Sequence, residues 1–327
     1  MKKNLLFILV IFLSYSLQAQ DVRFSKKETE FYTHLICDIS LNAYVKNFSL
    51  PFDYWQFVKN ENAGLKKYEK SKSRLKSKVL DELSNYKLQS NIIDKYCYST
   101  SFNDKLDSLS NFLKGAIWGN ENLNNNIFFI EGGINSFTNA NGNFYIEDGL
   151  RKILDKEELI FVMAHEYVHF LMKHIEVGIY SGYKRKIKNE IIGGTASALA
   201  LAGAGYAAAQ VSPLYSDEVI EDGIQLSENI SSVVNLYTEL YAYRYSREQE
   251  YEADYLAFCF MKSFGNIDKA ISALEKIYVA EGMKDNDTDI YSDHPSLFSR
   301  IKFFYFLKQW NGEINESKGD DLYYMPY

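Results

Sequence analysis

The residues best suited to chemistry are five in a row, His165-Glu166-Tyr167-Val168-His169. They fall in a segment of helical periodicity, residues 147–178. A spacing of four sets the two imidazoles on one helix face, one turn apart. That arrangement suits two ligands on one zinc ion. Glu166 projects beside them and can take a proton from metal-activated water and hand it to a leaving amine. The chain has only five His, and these two sit among Phe161, Val162, Met163, Ala164, Val168, Phe170 and Leu171. Buried imidazoles need polar partners, and one metal ion serves both.

Zinc at a catalytic centre takes a third protein ligand and keeps a fourth position open. Downstream lies SREQEYEADYLAFCFM, in which Glu250 and Asp254 are one helical turn apart. Glu250 can ligate the metal, and Asp254 can accept the remaining N–H of a ligating imidazole. Read alone, the pair is also an ordinary acidic helix face. The remaining histidines read more plainly: His174 as a helix-end or packing residue, His34 as a residue without chemistry. Arg300 reads as a structural ion-pair partner.

Taken in order, these residues resemble the zinc metalloprotease family that contains the CAAX prenyl endopeptidases, HtpX and the OMA-type peptidases. The matching positions are Asn135-Ser136-Phe137 with Gly142; Gly149-Leu150; Glu157-Glu158-Leu159; His165, Glu166 and His169 with His174 five residues on; Ser246-Arg247, Glu250, Ala253 and Asp254; then His294-Pro295 and Arg300-Ile301. The resemblance spans roughly residues 125–305 and implies an HExxH gluzincin, here an exported soluble member. It implies Glu250 as third ligand to one Zn2+ per chain and Asp254 as the partner of a ligating imidazole. It also implies that His294 stabilises the oxyanion, and that an edge strand at Phe137 and Asn139 pairs with an extended peptide. Tyr167 departs from the small or aliphatic residue common at that position. Metzincins place a third His six residues after the second, where this chain has Ile175.

The elements that must position these residues follow from patterning. Residues 22–120 are mostly helical, with an apolar stripe Phe31, Leu35, Ile36, Ile39, Leu41 and Val45. A Lys-rich helix over 64–86 keeps its own stripe at Leu65, Tyr68, Leu75, Val79 and Leu83, so its charges form a solvated face. A further helix runs near Asp104–Ile117. The Asn-rich stretch 120–126 reads as a loop and boundary. NIFFI then has strand length, and INSFTNANGNFYI reads as two strand pieces around Asn141-Gly142. Asp155 with Glu158 three residues on forms a capping box for the helix that carries the histidines. The expected fold is mainly α with a small β-sheet, an α+β zincin-like core behind an N-terminal helical region. The expected division is signal peptide 1–20, helical region 21–120, metallopeptidase domain 121–310 and a polar, aromatic tail 311–327.

Composition sets outer limits. The 327 residues suffice for a sizeable core, and 46% hydrophobic with 24% charged residues are globular proportions. The net charge of −7 speaks against nucleic acid as a partner. Lys2 and Lys3, the apolar run Leu5–Leu13 and Ala19 form a secretory signal peptide, which points to the periplasm or cell envelope, or to extracellular release. Export permits a disulfide between Cys37 and Cys97, with Cys259 a buried core thiol; three unpaired cysteines fit equally well. Residues 191–216 carry no charge, but Ala and Gly give little drive for insertion. A single crossing there would also part His169 from Glu250. The stretch is expected as a packed helix or flap, with peripheral membrane contact through 191–211 as the other reading.

Three functions compete on these grounds. The first is a zinc metalloendopeptidase that hydrolyses unfolded or extended cell-envelope proteins. The second is an envelope chaperone-like or binding factor with a latent or self-inhibited zinc site. The third, an exopeptidase, would need charged groups to hold a substrate terminus, and the sequence offers no clear set.

Overall fold

Apolar residues at helical spacing put most of the described residues into helices, and the strands among them cluster just before the histidine helix. The computed structural model describes residues 24–39, 46–71, 73–99, 104–119, 125–192, 246–282 and 295–316. The signal sequence, most of the uncharged stretch, His294 and the end of the tail lie outside the described residues, as do the side chains of Cys37 and Cys97.

The N-terminal region contributes α1 (Lys26–Ile39), α2 (Pro51–Glu61), α3 (Ala63–Glu69), α4 (Ser73–Ser99) and α5 (Asp104–Trp118). The Lys-rich stretch expected as one helix over 64–86 is two, because the chain leaves α3 at Lys70 and re-enters a helix at Ser73. Its apolar stripe survives the break: Leu65, Tyr68 and Val79 are buried together against α8 residues Val177, Ile179, Tyr180 and Tyr183. Next come β1 (Ile127–Ile130), β2 (Ser136–Thr138) and β3 (Phe144–Glu147), then α6 (Asp148–Ile153), α7 (Lys156–Leu171) and α8 (His174–Ile192). The chain closes with α9 (Arg247–Phe264), α10 (Ile267–Ala280) and α11 (Leu297–Glu316). Among the described residues no helix is long and apolar enough to cross a membrane.

The sheet has the order β1-β3-β2, with β1 parallel and β2 antiparallel to β3. All four residues of the central strand β3 are buried. Phe128, Tyr145 and Phe137 are register partners, and their rings stack in a row across the sheet at 5.2 and 4.7 Å. Such cross-strand pairs hold register. The β2–β3 turn closes on Asn139 N–H to Asn143 C=O at 2.9 Å. Gly142 takes φ +82° there, a conformation that side chains resist. Gly149 is needed for a different reason: a Cβ would stand 2.0 Å from the Gly133 carbonyl oxygen, where the chain bends from β3 into α6.

The core lies where α7 packs on α9. Ala164 of α7 and Ala253 and Ala257 of α9 are fully buried, and small residues suit a close helix approach. Both helices start with capping boxes, Asp155 with Glu158 and Ser246 with Gln249. Glu158 is buried and accepts from Ser272 and Lys276 of α10 at 2.7 Å. Cys259 is a buried free thiol. The N-terminal helices join this core through aromatic contacts. Trp55 of α2 stacks on Phe260 of α9 at 4.7 Å and meets Tyr167 of α7 edge-on at 5.0 Å.

A buried polar knot ties α4 to the β2–β3 turn. Asp94 accepts hydrogen bonds from the Tyr145 hydroxyl, Asn139 Nδ2 (2.8 Å) and Asn141 Nδ2 (2.8 Å). Ser90 Oγ accepts from Ala140 N–H at 3.2 Å. Asp94→Ala takes the acceptor from two buried donors, the Tyr145 hydroxyl and Asn139 Nδ2, at a cost of about 2 kcal/mol. Urea unfolding of the variant should show this loss, and an unchanged midpoint would mean the knot is not a brace.

Candidate active site

Helix α7 carries His165, Glu166 and His169 on a buried stretch, and α9 presents Glu250 and Asp254 to it. His165 Nε2 and His169 Nε2 are 3.1 Å apart, and each is 3.6 Å from a Glu250 carboxylate oxygen. Ligands at tetrahedral angles and zinc-like bond lengths lie about 3.3 Å from one another. The observed triangle, His165, His169 and Glu250, with a different Glu250 oxygen toward each imidazole, is therefore close enough to share a small divalent ion. The donors, two imidazoles and a carboxylate, suit zinc.

Each imidazole has a partner on its other nitrogen. His165 Nδ1 lies 3.0 Å from Asp254 Oδ1. Asp254 is fully buried and is gripped by Arg300 of α11, Nε to Oδ2 at 2.8 Å and Nη2 to Oδ1 at 2.7 Å. Arg300 Nη1 also stands 3.8 Å from Glu250. His169 Nδ1 lies 2.9 Å from Nδ1 of His174, which is itself buried at the start of α8. His174 thus adjoins a candidate ligand imidazole, where its position alone suggested a helix-end or packing residue. Lys173, at φ 51°, makes the turn that brings His174 back onto α7.

Burial sets the electrostatics. It pushes the Glu166 carboxyl up to about 7, Glu250 adding to the shift while His165, Ser136 and Arg300 oppose it. For His165 burial works the other way, but the Asp254 and Glu250 carboxylates overcome it and push the imidazole up to about 9. His169 is held well below the usual imidazole value by burial, with only Glu250 opposing. Asp254 stays below the usual carboxylate range: burial would raise it, but Arg300 and His165 prevail.

Strand β2 forms one wall of the cleft. Ser136 Oγ donates to Glu166 Oε1 at 3.1 Å, and Thr138 Oγ1 donates to the Glu166 carbonyl at 3.2 Å. The bonds Asn139 N–H to Asn143 C=O and Glu147 N–H to Asn135 C=O point the odd-numbered residues at β3. A strand alternates, so the outward backbone belongs to Ser136 and Thr138 rather than to Phe137 and Asn139. Phe137 still lines the cleft, with its ring on Tyr145. Asn139 is buried, and its side chain is committed to Asp94 and to the turn N–H groups of Asn141 and Asn143. The cleft also has an apolar lining: Leu150, Phe161, Val162, Leu274, Ile277 and Leu297. Tyr167 faces away from the imidazoles, into Trp55, Trp118 and Phe144.

Sequence reasoning placed Arg300 in a structural pair and did not single out Ser136 as the neighbour of Glu166. His294 lies outside the described residues. Because His165 holds its proton up to about 9, a bound cation must displace it. Zinc uptake near pH 7.5 should therefore release about one proton, and affinity should fall about tenfold for each unit of acidification below about 9. Calorimetry in buffers of different ionisation enthalpy measures the release. Its absence would mean that the cation meets His165 already unprotonated on Nε2.

No curated protein matches the chain by sequence. The profile of peptidase family M48 matches residues 118–305, more than half of the chain. That span holds the sheet, the histidine helix, the Glu250 helix and Arg300. With this site and this match, the chain belongs to peptidase family M48, a family of metal-dependent peptidases.

Proposed function

We propose that the protein is a zinc metalloendopeptidase that hydrolyses internal peptide bonds in unfolded or extended proteins of the cell envelope. The triangle of His165, His169 and Glu250 with Glu166 beside it carries this reading. The three residues would hold one zinc ion, which when bound acidifies water and polarises the scissile carbonyl.

The protein groups divide the remaining work. Glu166, with a carboxyl poised near neutrality, takes the proton from the attacking water and returns it to the departing amine. The Ser136 hydroxyl orients one Glu166 oxygen and leaves the other toward the cleft. Asp254, clamped by Arg300, keeps His165 in the tautomer whose Nε2 lone pair faces the ligand triangle. The outward backbone of Ser136 and Thr138 offers a strand edge on which an extended chain can lie. The apolar lining accepts a large aliphatic or aromatic side chain next to the scissile bond. The N-terminal pattern of residues 1–20 supports export, and with it envelope proteins as substrates; His294 is retained as a group that stabilises the oxyanion.

Glu166→Gln should keep zinc and lose about a hundredfold or more in cleavage of an unfolded test protein. Zinc content and product formation, measured on the same preparation, check both halves. Retained cleavage would sink the mechanism; zinc loading with no cleavage by the wild type would favour the latent, chaperone-like function. Ile277→Glu should lower kcat/KM about tenfold for peptides with Leu or Phe beside the cleaved bond, and less for those with Lys there. An equal effect on both would mean that the apolar lining does not select.

A further inference from the structure

The Asp254–Arg300 pair accounts for the orientation of one ligand imidazole. The Nδ1 of the other, His169, stands 2.9 Å from Nδ1 of His174. Beyond His174, Nε2 stands 3.3 Å from Glu252 Oε2, an ion-pair distance without hydrogen-bond alignment. Glu252 Oε1 accepts from Asn62 Nδ2 at 2.5 Å. Asn62 is buried between α2 and α3, and its Oδ1 caps α3 by accepting from Leu65 N–H. Gln249 Nε2 holds the His174 carbonyl at 2.9 Å, so the ring is fixed from its own backbone as well.

The proton positions along this line follow one from another. If His169 Nε2 offers its lone pair to a cation, its Nδ1 must carry the proton. His174 Nδ1 then accepts, which puts the His174 proton on Nε2, toward Glu252. Glu252 is the carboxylate that faces that proton, 3.3 Å away, and it accepts from Asn62. One tautomer of each ring suits this order. A neutral imidazole that accepts from a ligating histidine makes that ligand more basic, as a carboxylate would.

We propose that His174, Glu252 and Asn62 form a second orienting relay for the metal centre, in which His174 is a positioning residue for His169. Its far end lies in the N-terminal helical region, outside residues 118–305 matched by the family profile. The N-terminal helices thereby complete the support of the metal site as well as packing against it. This inference rests on the zinc reading above.

The test is zinc affinity of the full chain, measured by competition with a chromophoric chelator. His174→Phe keeps a ring of similar size and should raise Kd about 10–100-fold. His174→Asn, whose Oδ1 can accept near the position of Nδ1, should restore most of that loss. Asn62→Ser still caps α3 but cannot reach Glu252, and should raise Kd in the same direction by a smaller factor. If His174→Phe fails to fold, Asn62→Ser and Glu252→Ala carry the test. Wild-type Kd in His174→Phe, or in both of the other two, overturns the relay and leaves the zinc reading intact. A wild-type chain that binds no zinc overturns the zinc reading itself and the relay with it.

Discussion

A carboxylate buried without exposure to water holds this molecule's chemistry together. Asp254 is fully buried, and an ionised carboxylate in that position carries a desolvation cost of several kcal/mol. It is tolerated because Arg300 meets it with two nitrogens and His165 with a third. Those contacts come from α11 and α7, while Asp254 itself sits on α9. Three helices remote in sequence are therefore bound to one geometry by one charge. Removing any member would leave another charge buried without its partner, which costs more than the intact set contributes. The candidate ligand triangle inherits its rigidity from this point.

Around that charge the packing is aromatic. Trp55, Tyr167, Phe260 and Trp118 interlock behind the histidine helix. Rings supply large contact areas with few rotatable bonds, so they hold a position at modest entropic cost. Tyr167, the departure within the HExxH sequence, now has a physical reason. The face of α7 opposite the imidazoles is not covered by small packing against one neighbour. It is covered by α2, α5 and β3, and a large ring fills the space between them. The N-terminal helices thus belong to the structural unit that carries the site. Asp94 makes the same connection on the other side, through a polar knot under the β2–β3 turn.

Much of this was legible in the residues. Helical periodicity marked α7 and α9, and side chains four apart disclosed which ones share a face. The turn at Asn141-Gly142 and the capping box at Asp155 are local signals and appear where expected. The single helix over 64–86 was not: Lys and Ser at 70–73 suit a helix surface by propensity, and the break serves the packing of α3 and α4 on α8. Strand parity was also hidden. Whether Phe137 or Ser136 turns its backbone outward depends on which hydrogen bonds β2 makes with β3, and a three-residue strand has too little alternation to show it. His174 looked ordinary because its partner reaches it through a left-handed turn at Lys173, a conformation the residue type does not announce.

The sequence by itself determined the donors: two imidazoles one turn apart, a glutamate between them and an acidic pair one turn apart downstream. Those follow from the helical period, which is a local property. Tertiary structure alone decided how the donors are completed. It brought Glu250 to the histidines across some eighty residues of chain, and Arg300 to Asp254. It brought Ser136 to Glu166, and Glu252 with Asn62 to His174. Each of these joins groups on different elements, and their meeting depends on how the helices pack. The closeness of a charge to its partner is a property of the buried core, where the cost of leaving either one alone selects a single arrangement.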